Sequence, residues 1–390
     1  MVSTADKKEF KVIGTRPIRH DGYDKVTGRA QYGADIKLPG LVFGAVLRSP
    51  YAHAVIKNID TSEAEKTPGV LAVMTAKDLP RLEEIMRATS EETGSEKHLS
   101  ENVLAYKKVM YKGHAVAALA AGDLNTAQEA LKKIKVDYIV LEPVINVDQA
   151  MKKNAPIILE NFEGEHLGEK VKDTNIALHE RHDFGDIDKG FAESDIVVEK
   201  EVNMQTVHQG YIEPQNATAI WDEEDRVKIW TSTQGAFAVR DSVATVLGLD
   251  VSRIRVTPME IGGGFGGKIP IYLEPLAAVL SKKSRRPVKL IMSRTDVFES
   301  TGPAPGGKVK VKLGIDSSGK ILAAYADIRL EAGGFPEAFI DAASKCVFSC
   351  YDIPSTRIDG YDVIVNKPSS APYRAPSSPQ VTFAMESLVD

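Results

Sequence analysis

The sequence predicts a mixed α/β protein built of two folded units. Short β-rich runs bounded by turn residues alternate with helical stretches through residues 20–145, and do so again from residue 195 onward. A charged stretch with little periodicity separates the two. In the second unit, five glycines surround one phenylalanine at Gly262-Gly263-Gly264-Phe265-Gly266-Gly267, between a strand-like and a helix-like run.

Residues 1–20 are polar and read as an arm. The first unit, 21–146, carries strand signals at 41–48 and 70–74 and a polar helix end with a surface loop near 87–100. A strand at 114–121 follows, then a helix at 125–135 with Asp123 or Asn125 as its N-cap, then a strand at 135–141. Residues 147–194 read as a linker, its parts 161–172 and 179–188 wrapping over a surface. The second unit, 195–390, begins with strands at 196–204, 217–222 and 227–232. A helix at 236–247, a strand at 254–258, the glycine loop, a helix at 271–283 and a strand at 288–292 come next. Strands at 309–313, 321–331 and 358–365 lead to a Pro/Ser loop. The segment 379–390 starts an amphipathic helix with no C-cap glycine. Its apolar face is expected to lack a partner, so the sequence reads as a fragment or as one of two chains sharing a fold.

Composition narrows the function classes. Of 390 residues, 43% are hydrophobic and 26% charged, as in ordinary globular proteins. The net charge is −5 and no basic face stands out, so nucleic acid is not an expected partner. The apolar runs fall short of the ~20 residues a membrane span needs. The first eight residues have no apolar core, so no signal peptide is expected. Cys346 and Cys350 are the only cysteines, which excludes a disulfide framework and a four-cysteine iron–sulfur or zinc site within the chain. Two reduced thiols fit a cytoplasmic protein.

Glycines permit positive φ and close backbone approach, and free N–H groups beside a helix start favour anions or a polar ring. The spacing from Gly262 to Lys268 also matches a P-loop, but Ile269 stands where a serine or threonine would hold Mg²⁺. A nucleotide-binding protein is therefore a weak alternative, and a purely structural turn another.

The glycine loop resembles that of the molybdopterin-binding subunit of the xanthine dehydrogenase and aldehyde oxidase family. Further blocks agree in order and spacing: 24–32, 49–54, Ile59-Asp60, Tyr211-Ile212-Glu213-Pro214, Thr231-Ser232-Thr233-Gln234, Arg286-Pro287-Val288-Lys289, Ser293-Arg294 and 371–380. The resemblance covers nearly the whole chain. It implies an α/β hammerhead domain at 21–146 followed by the first molybdopterin-binding domain at 195–390. It implies hydroxylation, with oxygen from water, of an electron-poor carbon in an N-heterocycle, aromatic acid or aldehyde. The cofactor would be molybdenum on a molybdopterin cytosine dinucleotide, the metal held by the pterin dithiolene rather than by protein ligands. Electrons would pass to [2Fe–2S] and FAD partner subunits.

By the same resemblance, Gln234 hydrogen-bonds an oxygen ligand of the metal, and Gly263, Gly264, Phe265, Gly266 and Gly267 lie against metal and pterin. Phe265 gives a backbone N–H and a wall of the substrate pocket. Arg374 positions an anionic or carbonyl group. Ala375, Ser377 and Ser378 offer N–H and hydroxyl groups to the pterin and pyrophosphate. The bland readings are a polar strand end for Gln234, a core ring for Phe265 and a surface ion pair for Arg374.

The chain departs from purine-oxidising members in three places. Ile269 replaces a glutamate, the 301–305 stretch lacks an arginine, and Pro376 replaces a phenylalanine. Xanthine is therefore disfavoured. The family's catalytic glutamate is expected beyond Asp390, and Glu213, Glu260 and Glu274 are outside its motif. Two readings follow: a split subunit completed by a second molybdopterin-binding chain, as in nicotinate-dehydrogenase-like systems, or a truncated gene. A catalytically incomplete scaffold remains the competing function.

Overall fold

A computed structural model describes residues 10–80 and 98–390. Two seven-stranded sheets and one three-stranded sheet organise it. Sheet one runs in the order Ile254–Pro258, Val227–Thr231, Asn216–Trp221, Val288–Ile291, Val42–Arg48, Ala115–Ala121, Val70–Thr75. Its strands come from both sequence units. The seam is a parallel pair in which Val42 faces Val288 and Phe43 faces Lys289. The two units are thus continuous in one sheet. Residues Ala115–Ala121 are buried on both faces, the pattern of a central strand.

The helix Glu274–Ser284 packs on this sheet with Leu276, Ala277, Ala278, Val279 and Leu280 all buried. It begins three residues later than the apolar run suggests. The buried Glu274 carboxylate accepts from the N–H groups of Tyr272 and Leu273 and from Thr231 Oγ1 at 2.7 Å, which fixes the start there. Arg285 at φ 54° ends it. In the first unit the helix Leu124–Leu131 is capped by Asp123, not Asn125. A small sheet of Lys108–Val109, Ala54–Asp60 and Lys135–Val140 completes that part. Most of the 87–100 segment lies outside the described residues. Residues 10–20 are exposed and irregular.

Sheet two runs Ile196–Met204, Gly307–Ile315, Ile321–Gly333, Ser355–Ile364, Ile176–Phe184, Glu163–His166, Glu169–Lys172. Its last three strands lie in the stretch expected to be a linker. The period there is hidden because polar side chains hold positions an apolar residue would mark: buried His179, and Arg181 beside it, both pair with the buried Asp359 on the neighbouring strand. Elsewhere the alternation is plain, with Val309, Val311 and Leu313 buried and Lys308 and Lys310 turned to carboxylates.

The inner face is covered by the helices Ile340–Cys346 and Ser378–Val389. The second of these does have a partner. Val381, Ala384 and Met385 are fully buried in the sheet-two core, against the expectation of an unpaired face. Asn366 joins this part to the first unit, donating to Met110 O and accepting from Val144 N. Among the described residues no helix is long and apolar enough to cross a membrane.

Candidate functional site

The strands Val227–Thr231 and Ile254–Pro258 are parallel neighbours, so their carboxyl ends leave the sheet side by side. One continues into Gln234 and the other into the glycine loop. The two are stitched together. Gln234 N–H donates to Lys268 O at 3.1 Å, and Gln234 Oε1 accepts from Gly266 N at 2.8 Å and Lys268 N at 3.3 Å. Close approach explains the glycines. A Cβ on Gly264 would stand 2.5 Å from Gln234 Oε1, and one on Gly266, at φ 107°, would collide with Pro372 O.

Phe265 sits between them at φ 54°, a strained conformation for a non-glycine residue. The residue is 44% exposed, which removes the core-ring reading.

Lys268 faces away from the site. Its side chain is fully buried, with Nζ 2.7 Å from Glu213 Oε2 and 5.1 Å from the Tyr211 ring centroid. Glu213 Oε2 also accepts from Gly262 N at 2.7 Å, so one buried ion pair pins the loop at both ends. Burial holds the lysine below its ordinary pKa, with Glu213 pulling the other way. An ammonium held this way cannot reach a nucleotide phosphate, and the P-loop alternative loses its central residue.

The second loop docks on the first through backbone. Ala371 N–H donates to Pro303 O at 2.9 Å and Arg374 N–H to Phe265 O at 2.7 Å. The Arg374 side chain is exposed and forms no ion pair among the described residues. Ala375 and Ser377 are both left-handed, at φ 59° and 58°. Ala375 is exposed. Ser377 is buried and its hydroxyl donates to Ala338 O at 2.8 Å, so that hydroxyl is committed inside the protein. Among the described residues the Ser378 hydroxyl makes a single long contact, 3.5 Å to Pro376 O. The predicted residues of the two loops are therefore brought together, with Ser377 in a supporting position.

Several residues around the loops carry no distinctive sequence signal. Gln209 Nε2 donates to Gly302 O at 3.1 Å and Pro372 O at 2.9 Å. His208 Nδ1 accepts from Gly210 N, which leaves the proton on Nε2 for Thr301 Oγ1 at 2.8 Å. Burial, and after it Arg294, push His208 down to about 4. The helix Arg294–Ser300, absent from the sequence reading, starts at a reciprocal capping box of Ser293 and Asp296.

The donor set can be read directly. Among the described residues the N–H groups of Gly263, Gly264 and Phe265 have no acceptor, and neither has Gln234 Nε2. No group of three His, Cys, Asp or Glu that could hold a metal ion occurs among the described residues. A cradle of neutral donors, on which the backbone of Arg374 is docked, fits an oxyanionic group that brings its own metal ligands, which is the chemistry of a pterin-bound oxo-metal.

Comparison with known proteins agrees. Residues 168–390 match the molybdopterin cofactor-binding domain model, and residues 27–142 match the aldehyde oxidase and xanthine dehydrogenase a/b hammerhead domain model. The chain is 32% identical over 376 residues to a probable xanthine dehydrogenase subunit of Bacillus subtilis, covering 96% of this chain and 48% of that protein. It is 28% identical to the nicotinate dehydrogenase large molybdopterin subunit of Eubacterium barkeri, covering 97% and 85%. The solved quinoline 2-oxidoreductase of Pseudomonas putida 86 superposes with a TM-score of 0.83 at 25% identity, over 97% of this chain and 48% of that one. The aldehyde oxidoreductase of Desulfovibrio gigas gives 0.83 at 27%, over 94% and 40%. The chain thus spans about half the length of several relatives it matches. With both domain models matched in order along the chain, it belongs to the molybdopterin-binding family of xanthine dehydrogenase and aldehyde oxidase.

Proposed function

We propose that this chain supplies one wall of the active site of a molybdenum hydroxylase. The observation that carries the reading is the hydrogen bond from Arg374 N–H to Phe265 O, which sets the arginine loop on the glycine loop. When bound, a molybdenum cofactor supplies the two-electron oxidation and a water-derived oxygen. The chain's residues bind and orient. Gln234 directs Nε2 to an oxygen ligand, since its Oε1 is occupied by the loop. The N–H groups of Gly263, Gly264 and Phe265 receive negative charge. Phe265 walls the substrate pocket, and Arg374 holds a carboxylate or carbonyl of the substrate.

None of the three glutamates near the loops serves as the base. Glu213 is tied to Lys268 and Gly262, Glu260 pairs with Lys25, and Glu274 is buried on Thr231. The proton acceptor comes from a second molybdopterin-binding chain or segment. Electrons leave through [2Fe–2S] and FAD subunits, the pterin is the cytosine dinucleotide form, and the complex is cytoplasmic. Ile269 and the absence of an arginine at 301–305 favour an N-heterocycle, aromatic acid or aldehyde over xanthine.

The test is molybdenum per copy of this chain, in the complex purified through a tag in a host that makes the cofactor. Near-stoichiometric metal is expected, and Gln234→Ala should keep most of it while turnover falls about a hundred-fold. A folded, metal-free complex would reject the reading in favour of a scaffold.

A further inference from the structure

Three loops converge on the proposed site: the glycine loop, the 301–305 loop and the 371–378 loop. The Gln209 side chain touches all three. It is only 5% exposed. Its amide nitrogen spends one N–H on Gly302 O and the other on Pro372 O, at 3.1 and 2.9 Å. Its amide carbon and oxygen lie under the glycine loop, where a Cβ on Gly267 would stand 2.8 Å from Cδ and 2.9 Å from Oε1. Chemistry fixes the orientation of the amide. Turning it over would set its oxygen against two carbonyl oxygens, with no proton between them.

The backbone contacts beside Gln209 explain what it controls. Ala371 N–H to Pro303 O lies on one side of the Pro372 carbonyl, and Arg374 N–H to Phe265 O on the other. These two bonds have no covalent reason to hold the same register, because Pro303, Phe265 and residues 371–374 sit on separate loops. Gln209 binds Gly302, adjacent to Pro303, and Pro372, between Ala371 and Arg374. It therefore clamps the register from which both bonds follow.

We propose that Gln209 is a positioning residue, whose two amide donors set where Arg374 and Phe265 stand relative to each other and so align the substrate side of the site. The reference to a substrate rests on the hydroxylase reading above, whereas the clamping itself rests on geometry alone.

Two substitutions of similar size separate this from simple packing. Gln209→Met keeps the volume and removes both donors. Gln209→Glu keeps the shape and presents oxygen to both carbonyls. The tagged complex is prepared with each variant, and hydrogen exchange is followed at peptides spanning 301–305 and 370–378, with 307–315 of sheet two as the internal reference. Molybdenum per chain, kcat and KM are measured on the same preparations.

Exchange at the Ala371 and Arg374 amides should quicken about ten-fold in Gln209→Met and more in Gln209→Glu, with the sheet-two reference unchanged. Molybdenum should stay within about two-fold while KM rises or kcat falls about ten-fold. Unchanged exchange at both amides overturns the proposal. Equal loss of protection in sheet two overturns it as well, since Gln209 would then be only part of the packing. Should the wild-type complex hold no molybdenum, the hydroxylase reading fails, and the exchange data still decide the role of Gln209.

Discussion

The two loops that meet at Phe265 reach unusual backbone geometry by opposite means. The glycine loop uses residues without a Cβ, with Gly263 and Gly266 at φ 93° and 107° and one phenylalanine carried between them. The second loop places Ala375 and Ser377 in the left-handed region and holds them from outside. Ser377 hangs on Ala338 O, and the N–H groups of Glu337 and Ala338 hang in turn on the buried Asp362. One loop is shaped by its own residues, the other by a scaffold beneath it. The first should break on local substitution and the second on changes made at a distance.

The largest effect is expected where the glycine loop does lean on a scaffold. Lys268→Met leaves Glu213 buried without its cation and should cost about 3–5 kcal/mol in chemical denaturation. The double variant Lys268→Met/Glu213→Gln should lose less than the single one. If the single variant is as stable as wild type, the pair does not pin the loop.

A contrasting pair of substitutions comes next. Gly266→Ala adds a Cβ at a forbidden φ and against Pro372 O, and should cost about 3 kcal/mol. Ala375→Gly sits at φ 59° in the open, and should change stability by less than about 1 kcal/mol. Equal costs at the two positions would erase the distinction between the loops.

The smallest effect is a slope with pH. Burial pushes the Asp362 carboxyl up to about 7, while the Glu337 and Ala338 N–H groups pull it down and Glu337 adds repulsion. Between about pH 4 and 7 the folded protein then holds a proton that the unfolded chain has released. Its contribution is full below the ordinary aspartate range and is lost as pH rises through 7. Asp362→Asn should flatten that part of the stability profile. His208, held at about 4, acts in the other direction, favouring the folded state less as pH falls from 6.5 to 4. A profile of Asp362→Asn parallel to wild type over pH 4–7 would show that Asp362 does not titrate there.

This contrast also explains what can be read from the chain alone. Strands such as Ile196–Met204 and the helix Ala236–Leu247 match the sequence reading because apolar spacing and turn residues encode them locally. The glycine loop is legible for the same reason: the unusual geometry is written in the residues that adopt it, whereas Gln234 is picked out only by the family resemblance. The strand Ile176–Phe184 is not, because its His179 and Arg181 are satisfied by Asp359 from far along the chain. Ser377 is expected from sequence to face the cofactor, and only the position of Ala338 shows that its hydroxyl is already engaged. Gln209 is silent in the sequence because a glutamine in a short polar run carries no period and no motif. Its importance lies in the two carbonyls it reaches.

The parallel pairing of Val42–Arg48 with Val288–Ile291 has a consequence for the newborn chain. As the ribosome advances, the early strand gains Ala115–Ala121 on one side well before the other, whose neighbour is missing until residue 288 is made. At ~5–20 residues per second that wait lasts roughly 10–50 s. Throughout it an apolar strand edge stands open in a crowded cell, a template for any other extended segment. Slowing translation between the two strands lengthens that exposure, and should lower the protein's yield before it alters any property of the finished molecule.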